Sequence, residues 1–324
     1  MLIEFAILIA SFVLLIWSAD RFVFGAAAIA RNLGISPMVI GLTIVAMGSS
    51  APEIMVSATA SLGGKLNTAI GNAIGSNITN ITLVLGVTAL LKPILVGSST
   101  LRREIPLMLI ATIVTGYLLH DNYLSRLDGF ILITLFVIFM GYLTWKSQKQ
   151  HRKKVDHIDE DEMIAQFEAE VPNRIKTSKA LFWLIFGLIL LPMSSDYLVH
   201  SATSIARYFG ISELVIGLTI IAIGTSLPEL AASIVSVIKK EADMALGNII
   251  GSNIFNLLVV LSICGVLAPG KVDPHAFSRD YWWMLATSFA ILVLAVLVRP
   301  RQINRFAGGL LLATFIGYQL MLFL

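Results

Sequence analysis

Apolar residues fill this chain in long blocks, and polar residues collect between them. A helix needs about 20 apolar residues to cross a hydrocarbon layer ~30 Å thick. Ten blocks of that kind predict ten spans: Leu2 to Ala30, Pro37 to Leu62, Leu66 to Leu91, Ile105 to Leu119, and Leu124 to Trp145; then Ala180 to Tyr208, Glu213 to Ile238, Ala242 to Leu267, Tyr281 to Val298, and Phe306 to Leu324. Between the two sets of five, residues 146–179 turn polar and charged, basic first and then acidic. This stretch reads as a solvated linker, with Met163 to Val171 as a possible short surface helix.

The pattern repeats. Residues 41–80 read GLTIVAMGSSAPEIMVSATASLGGKLNTAIGNAIGSNITN, and residues 217–256 read GLTIIAIGTSLPELAASIVSVIKKEADMALGNIIGSNIFN. The offset is 176 without a gap, and 19 of the 40 positions are identical, which marks an internal duplication. Asp20 with Asp196 and Arg103 with Arg279 extend it beyond the motifs. The chain therefore divides into a first five-helix repeat (1–145), a linker (146–179) and a second five-helix repeat (180–324).

Composition and charge sharpen the reading. The 324 residues are 57% hydrophobic and 13% charged, which excludes a soluble globular protein. The single Cys264 excludes an intrachain disulfide. The apolar N-terminus, with Glu4 and no basic flank, reads as a retained helix rather than a leader. With the N-terminus outside, inner loops carry 17 Lys and Arg against 5 in the outer ones. The positive-inside rule thus predicts both termini outside and the linker cytoplasmic. Five spans is an odd number, so the repeats are expected to be inverted, a plan that many secondary transporters share.

The candidate chemistry sits in the duplicated motifs. Pro52-Glu53 and Pro228-Glu229 place a proline and a carboxylate at equivalent points inside apolar spans. Proline lacks an N–H, so the carbonyls of Gly48 and Gly224 are released, and spans two and seven should break there. An intramembrane carboxylate is costly and points to function. Ser49 and Ser50 precede Glu53 by four and three residues, as Thr225 and Ser226 precede Glu229, so each trio shares a helical face. Asn72, Ser76 and Asn80 form a polar stripe flanked by Gly71 and Gly75. Asn248, Ser252 and Asn256 do the same beside Gly247 and Gly251. Carboxylates, hydroxyls and amide oxygens are hard ligands, suited to calcium, sodium or magnesium. Asn77 and Asn253 read as helix-to-helix hydrogen-bonding groups. Asp20, beside Arg21, and Asp196 read as helix-end contacts, the other reading being a gating or relay role.

With GxxxxAxGxSxPE and GNxxGSNIxN each present twice, the chain resembles the calcium/cation antiporter superfamily, sodium/calcium exchanger branch, over nearly its whole length. The resemblance implies an all-α membrane protein of ten helices in a cell membrane (the inner membrane of a bacterium). Spans two, three, seven and eight would form the ion-binding core, with spans one and six sliding past it. It implies a ligand set of Glu53, Ser49, Ser50, Ser76 and Asn80 with Glu229, Thr225, Ser226, Ser252 and Asn256, joined by the backbone carbonyls of Ala46 and Ala222. Some members have Asp where this chain has Asn256. Calcium and sodium are the implied cargo, with no resident cofactor, no nucleic acid and no enzymatic activity. A calcium/proton antiporter on the same fold is the nearest alternative. An intramembrane aspartyl protease and a passive cation channel are more remote: the former needs two close Asp side chains sharing a proton, and inverted halves favour alternating access over a channel.

Overall fold

The computed structural model of the protein describes residues 1–155, 175–211, 220, 222–297 and 301–322. Among these, seven helices are long and apolar enough to cross a membrane, and one bent pair passes the same test together. The helices, in order, are α1 (Leu2–Leu33), α2 (Pro37–Ser49), α3 (Ala51–Leu62), α4 (Leu66–Leu91), α5 (Ile105–Leu119), α6 (Arg126–Val155) and α7 (Thr177–Tyr208). Then come α8 (Ala222–Thr225), α9 (Leu227–Ile238), α10 (Ala242–Leu267), α11 (Trp282–Leu297) and α12 (Arg305–Leu322).

Local sequence explains the ends and breaks. Gly34 closes α1 at φ 64°, in the left-handed region that favours glycine. Ser36 caps α2 by accepting from the Val39 N–H, with Pro37 at the first helical position. The predicted break of the second span is present: α2 and α3 meet at Ser50, two residues before Pro52, with a bend of 44°. Ser226 makes the equivalent break between α8 and α9, two residues before Pro228. Residues 212–219 and 221, where the seventh span was predicted to begin, lie outside the described residues.

Two features differ from expectation. α6 runs on to Val155 and does not stop at Trp145. Residues 146–155 contain no Gly or Pro and are rich in Lys, Gln and Arg, good helix formers even in water. The linker's remainder to residue 174, including the proposed helix at Met163 to Val171, lies outside the described residues. The second surprise is π-helical geometry. π turns occupy Gly41–Val45, Asn80–Leu85, Thr100–Glu104, Asn256–Val260 and Ala276–Tyr281. Those starting at Asn80 and Asn256 are repeat equivalents, and such bulges cluster at functional positions.

The loops sort into two groups. β1 (Ile94–Leu95) pairs antiparallel with β4 (Gln302–Ile303), and β2 (Tyr123–Leu124) with β3 (Gly270–Lys271). The first group gathers more members: Lys92 donates to the Val237 carbonyl, Arg31 bonds Glu241, and Arg305 donates to the Leu91 carbonyl. Asn67 joins the second group by accepting from the Asp273 N–H.

Small residues set the helix spacing. A Cβ on Gly25 of α1 would lie 2.8 Å from the Ala180 carbonyl of α7, and one on Gly187 would lie 2.5 Å from Phe22 Cβ. The hydroxyls of Ser18 and Ser194, equivalent residues of the two repeats, meet at 3.4 Å between the same helices. α2 lies equally close on α10: a Cβ on Gly251 would stand 2.5 Å from the Leu42 carbonyl, and one on Gly247 the same distance from that of Met38.

Candidate functional site

The breaks at Ser50 and Ser226 bring both motifs to one buried centre. Glu53 and Glu229 are each 0% exposed, and the two carboxylates lie within electrostatic reach of each other. Around them Ser49, Ser50, Asn80, Ser252 and Asn256 are also fully buried, and Ser76 and Ser226 nearly so. Thr225 is half-buried at the end of α8, and Ala222 begins that helix.

The hydroxyls of Ser49 and Ser50 reach across to the other repeat. A continuous helix would put Ser49, Ser50 and Glu53 on one face, but the chain breaks at Ser50 and re-aims them. Ser50 Oγ donates to Glu229 Oε1 at 2.9 Å. Ser49 Oγ donates to Asn248 Oδ1 at 3.1 Å and lies 3.4 Å from Ser252 Oγ. The second repeat does not return the Ser50–Glu229 bond. Among the described residues, neither oxygen of Glu53 has a hydrogen-bond partner, nor does Ser226 Oγ. Ser76 stands close to the Glu53 carboxylate without closing a bond.

The backbone carbonyls divide similarly. The one expected to be released at Gly224 accepts from Ser195 Oγ of α7 at 2.9 Å. In the first repeat the position equivalent to Ser195 is Ala19, which has no hydroxyl to offer Gly48. The Ala46 carbonyl accepts from the Ser50 N–H at 3.0 Å and from Ser49 Oγ at 3.3 Å.

Asn72 and Asn248 hold the frame. Asn72 Nδ2 donates to the Glu53 carbonyl at 3.3 Å and to Ser57 Oγ at 2.9 Å. Asn248 Nδ2 donates to the Glu229 carbonyl at 3.4 Å and to Ser233 Oγ at 3.1 Å. Each thus pins the helix carrying the carboxylate onto its neighbour. Ser57 and Ser233 were missed in the sequence reading, although they are among the identical positions of the duplication. Asn77 and Asn253 do bond between helices as expected, but to sulfur: Asn77 to Met284 at 3.4 Å and Asn253 to Met108 at 3.7 Å. Those methionines are themselves repeat equivalents.

The donor set fits a hard cation. Glu53 Oε1 and Oε2, Glu229 Oε2 and the side-chain amides of Asn80 and Asn256 are buried and have no hydrogen-bond partner among the described residues. A buried oxygen left unpaired costs roughly 1–3 kcal/mol, more for a charged one. These five carboxylate and amide oxygens are hard ligands of the kind that calcium or sodium takes. No group of three or more His, Cys, Asp or Glu side chains occurs among the described residues, so neutral oxygens must complete any coordination shell.

The two polar stripes beside this centre are unequally covered. On α4, Thr68 and Gly71 are exposed and Asn72 and Gly75 half-buried. Their equivalents on α10, Met244, Gly247, Asn248 and Gly251, are all buried, with Met38, Gly41 and Leu42 of α2 packed over the glycines and Met244. Asp20 and Asp196 stand apart from the site. Asp20 pairs with Lys239 at 2.7 Å and more loosely with Arg21 at 3.9 Å, and Asp196 is exposed.

Known proteins resemble this chain over nearly its whole length. A family model described as sodium/calcium exchanger protein matches residues 3–145 and 179–324. A putative antiporter CaxA of Alkalimonas amylolytica is 53% identical over 324 residues, covering 100% of this chain and 99% of that protein. The inner membrane protein YrbG of Escherichia coli is 44% identical over 323 residues, covering 100% and 98%. A solved structure of the sodium-calcium exchanger NCX_Mj, soaked with sodium and strontium, superposes with a TM-score of 0.81 at 31% identity, covering 97% of each chain.

Proposed function

The chain belongs to the sodium/calcium exchanger protein family, and we propose that within this family of cation antiporters it exchanges calcium for sodium at the Glu53–Glu229 centre. The protein is a multi-pass membrane protein of a transporter family, not of an enzyme family. The observation that carries the finer reading is the pair of buried carboxylates ringed by unpaired oxygens. Two carboxylates supply a charge of −2, which one calcium or two sodium ions balance. In a low-dielectric site an unbalanced charge is strongly disfavoured, so the ions must alternate rather than accumulate.

Sodium is favoured over the proton by what the core helices lack. α2, α3, α4 and α9 carry no Asp, Glu or His besides Glu53 and Glu229, and Asp243 sits exposed at the start of α10, away from the centre. Both carboxylates must be ionised to hold calcium, which leaves no separate group to carry a proton. The neutral oxygens of Ser76, Asn80, Ser252 and Asn256 remain as further sodium ligands.

The transport cycle follows from duplication. Ten spans in two inverted repeats are supported by the sorting of loops, with residues near 31, 92, 239 and 305 in one group and those near 67, 123 and 271 in the other. The first group is the more basic, and under the positive-inside rule it would face the cytoplasm, with the termini outside. Exchange of the two repeats' conformations would then close the α4 stripe and open the α10 stripe. Each ion drives the cycle only through its different affinity for the two facing states.

The test is calcium uptake into sodium-loaded proteoliposomes with the pH gradient collapsed by an ionophore. Uptake that persists and scales with internal sodium supports the reading. Uptake that vanishes with the pH gradient and ignores sodium overturns it in favour of calcium/proton exchange.

A further inference from the structure

We propose that two ion pairs between α1 and the α9–α10 turn form a one-sided latch that biases the protein toward the facing state described here. The pairs are Asp20 Oδ1 with Lys239 Nζ at 2.7 Å and Arg31 Nη1 with Glu241 Oε1 at 3.3 Å. Lys239 also lies 5.7 Å from the centre of the Phe24 ring, a second attachment to α1. The turn that presents them is fixed: Lys240 holds a positive φ of 66°, and the Glu241 N–H donates to the Ser236 carbonyl at 2.8 Å.

The bias comes from the repeat offset, and it rests on the exchange reading above. If the opposite state arises when the repeats trade conformations, every contact maps onto the pair of residues 176 positions away. Asp20 and Lys239 map onto Asp196 and Gly63. Arg31 and Glu241 map onto Arg207 and Lys65. The first mapped pair has lost its cation. The second has become a meeting of two cations. Two attractions in one state are therefore replaced in the other by none and by one repulsion. A single exposed ion pair contributes little, but a two-state equilibrium responds to the sum of such differences. The carboxylates, hydroxyls and amides around Glu53 and Glu229 are nearly matched between repeats, whereas the charges on the flanking turns are not.

Labelling of paired cysteines in detergent tests this without regard to membrane orientation. In a Cys264→Ser background, Thr68→Cys reports the open α4 stripe and Met244→Cys its covered equivalent on α10. With the latch intact, Thr68→Cys should react much faster. Asp20→Asn with Glu241→Gln should lower the ratio of the two rates by about fivefold, the scale of two exposed ion pairs. Exchanging the charges of the first pair, Asp20→Lys with Lys239→Asp, should restore most of the ratio. Gly63→Lys with Lys65→Glu, which supplies the missing partners on the other side, should lower it again; Gly63 has φ −78°, which any residue can adopt. A ratio unmoved by both Asp20→Asn with Glu241→Gln and Gly63→Lys with Lys65→Glu overturns the latch. Sodium-dependent calcium uptake by the unmodified protein is measured in parallel. Its absence would overturn the exchange reading, whereas uptake with unmoved labelling ratios overturns the latch alone.

Discussion

Ser50 and Glu229 are joined at 2.9 Å across the two repeats, while the equivalent Ser226 and Glu53 make no hydrogen bond to each other. A duplicated sequence has produced an unequal pair of half-sites. A hydroxyl that donates to a carboxylate is worth roughly 1.5–3 kcal/mol. Ser50→Ala should therefore keep transport but raise the calcium KM about tenfold. Uptake measured against calcium concentration checks this, and an unchanged KM would place Ser50 outside the ion path.

Removing either charge should be far more severe. Glu53→Gln and Glu229→Gln are each expected to abolish calcium flux while the protein still inserts and purifies intact. One remaining carboxylate leaves a divalent ion undercompensated in a buried site. Glu53→Asp keeps the charge but withdraws it by one methylene, and should retain weak flux. Robust flux from either Gln variant would falsify the assignment of the pair.

Gly71 and Gly247 occupy equivalent positions but meet different surroundings. Gly247 is packed against the Met38 carbonyl, whereas a Cβ on Gly71 meets nothing within 4 Å. Gly247→Val should lower the thermal midpoint in detergent by several degrees, because α2 can no longer seat on α10. Gly71→Val should leave that midpoint near its starting value and yet slow turnover at least tenfold, because the exchanged state must bury it. Measuring both variants by thermal shift and by flux separates the two effects. Equal losses of stability would contradict the exchange.

Asn248 donates twice, to the Glu229 carbonyl and to Ser233, and both bonds are buried. Asn248→Leu would strand both acceptors, at a cost of roughly 1–3 kcal/mol for each. The expected result is a lower thermal midpoint together with a weakened calcium affinity, since Glu229 loses the strut behind it. Restoring the amide one methylene further out, with Asn248→Gln, should recover stability more than affinity.

The linker after α6 should face the cytoplasm and tolerate shortening. A cysteine at His157, in a Cys264→Ser background, is expected to react with an impermeant thiol reagent only after cells are opened. Reaction in intact cells would reverse the orientation inferred from the basic loops.

Much of this was legible in the sequence because the duplication repeats it. Glu53 and Glu229, the polar stripes and the breaks beside Pro52 and Pro228 could be read from spacing alone. Leu66–Leu91 and Ala242–Leu267 could be bounded by hydropathy to the residue. The crossing of partners could not. Periodicity put Ser49 and Ser50 with Glu53, and only the break at Ser50 turns them toward Glu229, Asn248 and Ser252. The π turns starting at Asn80 and Asn256 were equally hidden, because one extra residue in a turn changes no composition. Lys239 as the nearer partner of Asp20 was not legible, because it lies 219 residues further along the chain, whereas Arg21 stands next in sequence. The sequence is also silent about which half is open, since one chain must encode both arrangements.

The hydroxyls of Ser18 and Ser194 touch at 3.4 Å, and each is the other's counterpart. A contact between counterparts maps onto itself when the halves exchange roles. It has the same neighbours before and after, so nothing in it needs to break. α1 and α7 can therefore stay fastened at this point, with Gly25 and Gly187 allowing their backbones to touch, and move as one body like a keel shared by both sides of a hull. Loosening that fastening, for example by Ser18→Leu, would weaken both arrangements alike and leave their ratio where it was.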